Sequence, residues 1–260
     1  MANHWTLLSI DYANQRSYLD DLYRVYPIIP NGIREVDERL MSSIETYYNN
    51  RDNNHLIKAL LRLDLFPIKD SYVPYLRQDP TAIDRNPQTV NRICGRLYEL
   101  GFQKVYENCT EPKETNRQIG PMFRRWLNSG ALGIQPVDEY QFVHSTDNAI
   151  LDGSDASLKD FANRFFHYQR QKGLDFVGRF NGKYVIGEAK FISDQGGHQN
   201  AQFNDAMDTL LSGVQDEVLK IAIIDGVPYI RNRGKLHQTL LSSDKPIMSA
   251  LVLRDYLYSI

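Results

Sequence analysis

LDFVGRFNGKYVIGEAKFI, residues 174–192, is the stretch on which the reading of the fold turns. Two apolar runs flank Asn181-Gly182, a dipeptide that accepts positive φ at both positions and so closes two-residue type I′ hairpins. If these two residues form the turn, Phe180 faces Lys183, and stepping back along both strands brings Asp175 opposite Glu188. Opposed residues of an antiparallel pair project to the same side, with Cβ atoms about 4.5–5.5 Å apart. Lys190, two residues beyond Glu188, returns to that side because strand side chains alternate. Two carboxylates and an ammonium group are therefore expected to converge at the open end of the hairpin.

Working outward, SDASLKDFANRFFHYQRQKG (154–173) reads as a helix that presents Leu158, Phe161, Ala162, Phe165 and Phe166 on one face and ends at Gly173. After the hairpin, AQFNDAMDTLL places Phe203, Met207, Leu210 and Leu211 at helical spacing, and VLKIAIIDGVPYI and KPIMSALVLRDYL read as further apolar strands. This order predicts an α/β fold, a mixed β-sheet flanked by helices. The first half differs. GIREVDERLMSSIETYYNN, HLIKALLRLDLF and DRNPQTVNRICGRLYELGF carry helical stripes, and in the last of these Asn86 is placed to cap, Pro87 to start and Gly101 to end the helix. Composition shifts near GALGIQPVDEY, so the expected division is a mainly helical N-terminal region, residues 1–130, followed by a core at 131–260.

The chain has 260 residues, 42% of them hydrophobic, which is enough to bury a full core, and it lacks low-complexity runs. No apolar stretch is long enough to span a bilayer, and the start MANHWTLLSIDY lacks the pattern of a secretory leader, so a cytoplasmic protein is expected. Cys94 and Cys109 form no CxxC pair and read as reduced structural residues. The six histidines show no zinc-binding spacing. A net charge of −2 does not exclude an anionic partner, because a cleft can be basic on a neutral protein.

The chemistry follows from the convergence. Two carboxylates this close repel, and one would take up a proton unless a positive charge held both ionised. A hard divalent cation, Mg2+, fits: it takes carboxylate oxygens, keeps waters and accepts a phosphate oxygen. Lys190 would orient an attacking water or stabilise the charge growing on a phosphate.

These residues resemble the catalytic hairpin of the PD-(D/E)xK nuclease superfamily, whose hallmark is an acidic residue, a hairpin, then Glu or Asp, one small or apolar residue, and Lys. The resemblance covers roughly residues 155–225 and implies a restriction-endonuclease-like core with Asp175 and Glu188 as metal ligands and Lys190 as the catalytic lysine. Leu174 stands where the superfamily's name has proline. Size and a separate helical half resemble a type II restriction endonuclease. The resemblance thus implies Mg2+-dependent cleavage of double-stranded DNA by a homodimer, with no nucleotide cofactor and no membrane.

DNA contacts are expected from the polar loop and helix start after the lysine strand, at Gln195, His198, Gln199, Asn200 and Gln202, and from a basic stretch that includes Arg117, Arg124 and Arg125. Two alternatives compete: a DNA repair or junction-resolving nuclease with the same core, and a non-catalytic DNA-binding protein that uses the helical half as reader. An intact Asp/Glu/Lys trio argues against the second.

Overall fold

The computed structural model describes residues 2–27, 35–111, 118–194, 197–215, 217–231 and 234–260. The chain forms two compact units, one made of residues 1–28 and 115–260 and the other of residues 29–114. The helical unit is thus an insertion, and the boundary differs from the one expected near residue 130. The difference is physical: α1 (His4–Gln15) and α2 (Tyr18–Val25) belong to the sheet-bearing unit. Thr6 Oγ1 donates to the Ile247 carbonyl at 2.7 Å, a contact across 241 residues that no local pattern announces.

The inserted unit carries α3 (Glu38–Asn49), α4 (Asn53–Leu60), α5 (Val73–Gln78), α6 (Ala82–Arg85), α7 (Pro87–Leu100) and α8 (Phe102–Cys109). Their stripes meet in one core that includes Ile44, Leu56, Leu60, Ile93, Leu97 and Val105. Both cysteines are free and buried in it, and burial pushes each thiol up to about 12, consistent with a structural role. Gly101 ends α7 with φ +81, but Asn86 does not cap it: its side-chain amide donates instead to the Ala82 carbonyl.

The sheet-bearing unit continues with α9 (Ile119–Asn128), β1 (Pro136–Val137), α10 (Glu139–His144), β2 (Ala149–Leu151), α11 (Asp155–Phe166), β3 (Phe176–Phe180), β4 (Lys183–Ile192), α12 (Gly197–Leu211), β5 (Val218–Gly226), α13 (Lys235–Ser242), β6 (Ile247–Met248) and α14 (Ala250–Ser259). Among the described residues, six strands lie in chain order in one mixed sheet. β2, β3 and β4 are antiparallel neighbours, while β4 runs parallel to β5, and β5 to β6. Alternation divides the β3 and β4 side chains between two cores. Val177 and Ile186 join Leu158, Phe161 and Phe166 of α11, while Phe176, Phe180, Val185 and Ala189 join a larger cluster with residues of α2, α9, α12 and α14. The expected mixed sheet flanked by helices is present.

Asn181 and Gly182 adopt φ 51 and 78, the two positive values of a type I′ turn, and Phe180 pairs with Lys183. Two other expectations fail. α11 ends at His167, in the left-handed region, where the Tyr168 N–H bonds the Ala162 carbonyl, well before Gly173. That early exit carries Tyr168 and Leu174 into the core. KPIMSALVLRDYL contributes only the short β6 and then becomes α14. Ser249 caps this helix by accepting the Leu251 N–H, and Ala250, Leu253 and Leu257 bury one helical face.

At the carboxyl end of β5, Asp225 is fully buried and accepts four hydrogen bonds, from Tyr18 OH (3.1 Å), Tyr26 OH (3.0 Å), Ser249 Oγ (2.5 Å) and the Ala250 N–H (3.2 Å). Burial pushes its carboxyl up to about 6 even so. This residue ties α2 and α14 to the end of the sheet.

Candidate active site

The hairpin brings Asp175, Glu188 and Lys190 together. Lys190 Nζ lies 2.5 Å from Glu188 Oε1, 3.5 Å from Asp175 Oδ2 and 3.3 Å from the Ala189 carbonyl oxygen, so three oxygens surround one ammonium. The opposition of Asp175 and Glu188 is not the simple rung that register alone predicts. Regular pairing stops at Phe176 and Gly187, and the Asp175 N–H bonds the Gly187 carbonyl at 3.1 Å. Asp175 and Phe176 thus both stand against Gly187, in the manner of a β-bulge, which re-aims a side chain at the end of a strand. The re-aimed carboxylate accepts the Ala189 N–H through Oδ2 at 2.9 Å. Its Oδ1 faces Gly120 in the first turn of α9.

Both acids are shielded from solvent. Glu188 is only 2% exposed, and burial followed by the charge of Asp175 pushes its carboxyl up to about 7. Asp175 is raised too, chiefly by burial, with Lys190 opposing the shift. Burial alone would lower the Lys190 ammonium, but the charges of Asp175 and Glu188 outweigh it and hold the group above its ordinary value. Glu188 Oε2 is buried without a hydrogen-bond partner. A buried carboxylate oxygen without a donor is costly and calls for an explanation.

Lys172 Nζ stands 4.0 Å from Glu188 Oε1 and forms an ion pair with Asp205 of α12, while Arg124 of α9 pairs with Asp155 at the start of α11. Neither Lys172 nor Asp205 is among the candidate site residues read from the sequence. Its distance of three residues from Asp175 was the available signal for Lys172; for Asp205 there was none, because α12 reaches the hairpin only through the tertiary fold.

The expected DNA contacts are placed unevenly. Arg117, Gln195 and the His198 side chain lie outside the described residues. Arg124 is half-buried in its pair with Asp155, and Arg125 is exposed. Gln199 is buried, with Oε1 accepting the Ser193 N–H at 3.3 Å, which turns it into the fold as a brace for the loop. Asn200 and Gln202 are half-buried on α12. Among the described residues, no helix is long and apolar enough to cross a membrane, and no cluster of three or more His, Cys, Asp or Glu side chains is arranged to hold a metal ion.

The whole chain, compared with protein-family models, matches that of the Tsp45I type II restriction enzyme over residues 3–260. The chain belongs to the Tsp45I type II restriction enzyme family. A member of this family is a site-specific endonuclease, and its substrate is double-stranded DNA. The match spans both compact units, so the inserted helices are part of the restriction enzyme and not an unrelated addition. Neither a curated protein nor a solved structure matches the chain.

Proposed function

We propose that this restriction enzyme is of the PD-(D/E)xK kind and hydrolyses phosphodiester bonds with Mg2+ held by Asp175 and Glu188. The observation that carries the proposal is the site's unfilled capacity: Lys190 Nζ rests among three oxygens while Glu188 Oε2 is buried and bare. The ammonium occupies the kind of place a hard cation takes, and oxygen donors of this type suit Mg2+. Two carboxylates and the Ala189 carbonyl leave further positions to water and phosphate oxygen. Bound there, the ion would polarise the scissile phosphate and lower the pKa of an attacking water.

The chain's own residues have distinct duties. Asp175 is held by the Ala189 N–H, so its carboxylate is preorganised by the strand that carries Glu188. Lys190 moves its charge toward the phosphate and stabilises the negative charge that develops there, or orients the attacking water. Lys172, itself paired with Asp205, adds a second ammonium near Glu188 Oε1 and helps position that carboxylate. The exposed Arg125 and the start of α12 contact the DNA backbone, and the inserted helices supply base readout or contact a second copy. Cutting both strands of a symmetric site calls for two such centres, hence a homodimer.

The test is a plasmid of known sequence incubated with Mg2+ and with wild type or Asp175→Asn. Discrete fragments from the wild type and none from the variant are expected. Cleavage by Asp175→Asn at the wild-type rate would overturn the assignment.

A further inference from the structure

The inserted unit has one helix whose outer face is bare where a side chain would be expected. α7 buries Val90, Ile93, Cys94 and Leu97, and turns Asn91, Arg92, Arg96 and Glu99 outward. Gly95 lies among these outward residues. A Cβ built on Gly95 meets no atom within 4 Å, and its φ is not positive. Glycine is the poorest helix former after proline. Neither packing nor backbone conformation among the described residues requires it here. A half-buried mid-helix glycine with open space where its side chain would stand admits close approach by something outside the unit.

The neighbouring groups state the chemistry of that visitor. Arg92 donates to both oxygens of Asp70, at 2.6 and 3.3 Å, and Arg96 lies 4.0 Å from the same carboxylate. The Asp70 side chain is 6% exposed, whereas those of Arg92 and Arg96 are 43% and 54% exposed. One sunken carboxylate therefore fixes Arg92 and draws Arg96 toward it, leaving guanidinium donors to spare on a face whose other acid is Glu99. Beside them, Tyr98 OH donates to Asn53 Oδ1 and Asn53 Nδ2 donates to Asn91 Oδ1, both at 2.7 Å. This relay fixes the exposed Asn91 amide by its oxygen and leaves its NH2 group to donate outward. The Arg51 guanidinium lies 4.1 Å from the Tyr98 ring centroid on the same side. Guanidiniums and an oriented amide are the donors that phosphates and base edges accept.

We propose that the outer face of α7 lies against duplex DNA, with the sugar-phosphate backbone closing on Gly95, Arg92 and Arg96 donating to phosphates, and Asn91 reaching a base edge. This inference deepens the reading of the chain as a DNA endonuclease and rests on it.

Gly95→Ala and Gly95→Gln separate this role from a structural one, because both residues favour helix more than glycine does. Thermal melting, sedimentation equilibrium and affinity for a cognate duplex in Ca2+ are to be measured on the full chain. Expected are a melting temperature equal to or above wild type, an unchanged oligomeric state, and about tenfold weaker duplex binding for Gly95→Gln, with a smaller loss for Gly95→Ala. Arg96→Gln should lower the slope of log affinity against log salt by about 1. Wild-type affinity in Gly95→Gln overturns the inference while wild-type cleavage in Mg2+ leaves the endonuclease reading intact. A loss of affinity that comes with a changed oligomeric state also overturns it, since the face would then belong to a second copy. A wild-type protein that neither binds nor cuts duplex DNA would remove both readings.

Discussion

Glu188 and Asp225 are buried acids on adjacent strands of one sheet, and both carboxyls are pushed up by burial, to about 7 and about 6. Their surroundings are opposite. Asp225 accepts four hydrogen bonds and, among the described residues, forms no salt bridge, so its lone pairs are spent on holding α2 and α14 in place. Glu188 meets an ammonium through one oxygen and nothing through the other. A perturbed carboxyl therefore does not by itself mark the functional acid in this protein. Unused coordinating capacity is the difference on which the role proposed for Glu188 rests.

The largest expected effect breaks the comparison most directly. Asp175→Asn and Glu188→Gln should each lower cleavage by at least about a thousandfold, the scale of losing a group that stabilises the transition state. Metal-free DNA binding should persist or tighten in both, since a negative charge facing the phosphate has gone. Asp225→Ala should do the reverse, costing roughly 1–3 kcal/mol of stability through donors left without an acceptor, while the folded fraction cuts at the wild-type rate. Melting curves and active-site-normalised cleavage distinguish the two patterns; an Asp225→Ala protein of normal stability that fails to cut would sink the contrast.

Lys190→Ala comes next. It should lower cleavage by about a hundred to a thousandfold and yet retain divalent-cation binding, because the carboxylates stay. Calorimetric titration with Mn2+ checks this, and loss of metal binding together with cleavage would show that the lysine is needed to build the site.

A smaller effect follows from pH. The Glu188 carboxyl is raised from 4.5 to about 7 in the fold, so between those values the folded protein keeps a proton that the unfolded chain has lost. Stability should accordingly fall, as far as this group contributes, when pH rises through that window in EDTA. Glu188→Gln should flatten that part of the dependence. Metal binding needs the ionised form, so apparent Mg2+ affinity should rise with pH up to about 7 and level off above it. An affinity unchanged between pH 5.5 and 7.5 would remove Glu188 from the ligand set. The smallest effect expected is at Arg125, where replacement by Gln should reduce the salt slope of DNA binding by about 1 and leave sequence preference alone.

The hairpin was legible because its determinants are local. Asn181-Gly182 carries its own conformational preference, and the register follows from it. The last step was not legible: Asp175 leaves strict opposition in a bulge-like turn, and only the tertiary fold sets where that happens. The same distinction accounts for the errors elsewhere. The apolar run after Ser249 fits either a strand or a buried helix, and its position against the sheet decides for the helix. α11 ends at His167 because Tyr168 and Leu174 find better burial in the core, which its sequence could not announce. Lys172 and Asp205 meet through an ion pair across 33 residues, so the second ammonium near Glu188 was invisible until the fold placed it.

The docking of α1 near β6 has a consequence for how the enzyme is born. Asn3 donates through Nδ2 to the Asp244 carbonyl, Thr6 to that of Ile247, and the Ser249 N–H to Ser9 Oγ, so the opening helix waits for partners made more than 230 residues later. The inserted unit draws its core from one unbroken stretch and is complete on the ribosome while the sheet is still being translated. The hairpin that carries the acids gains its full bracing only when residues near 250 emerge. A prematurely terminated chain would then carry Asp175, Glu188 and Lys190 without the C-terminal helix that packs in the same core as their hairpin.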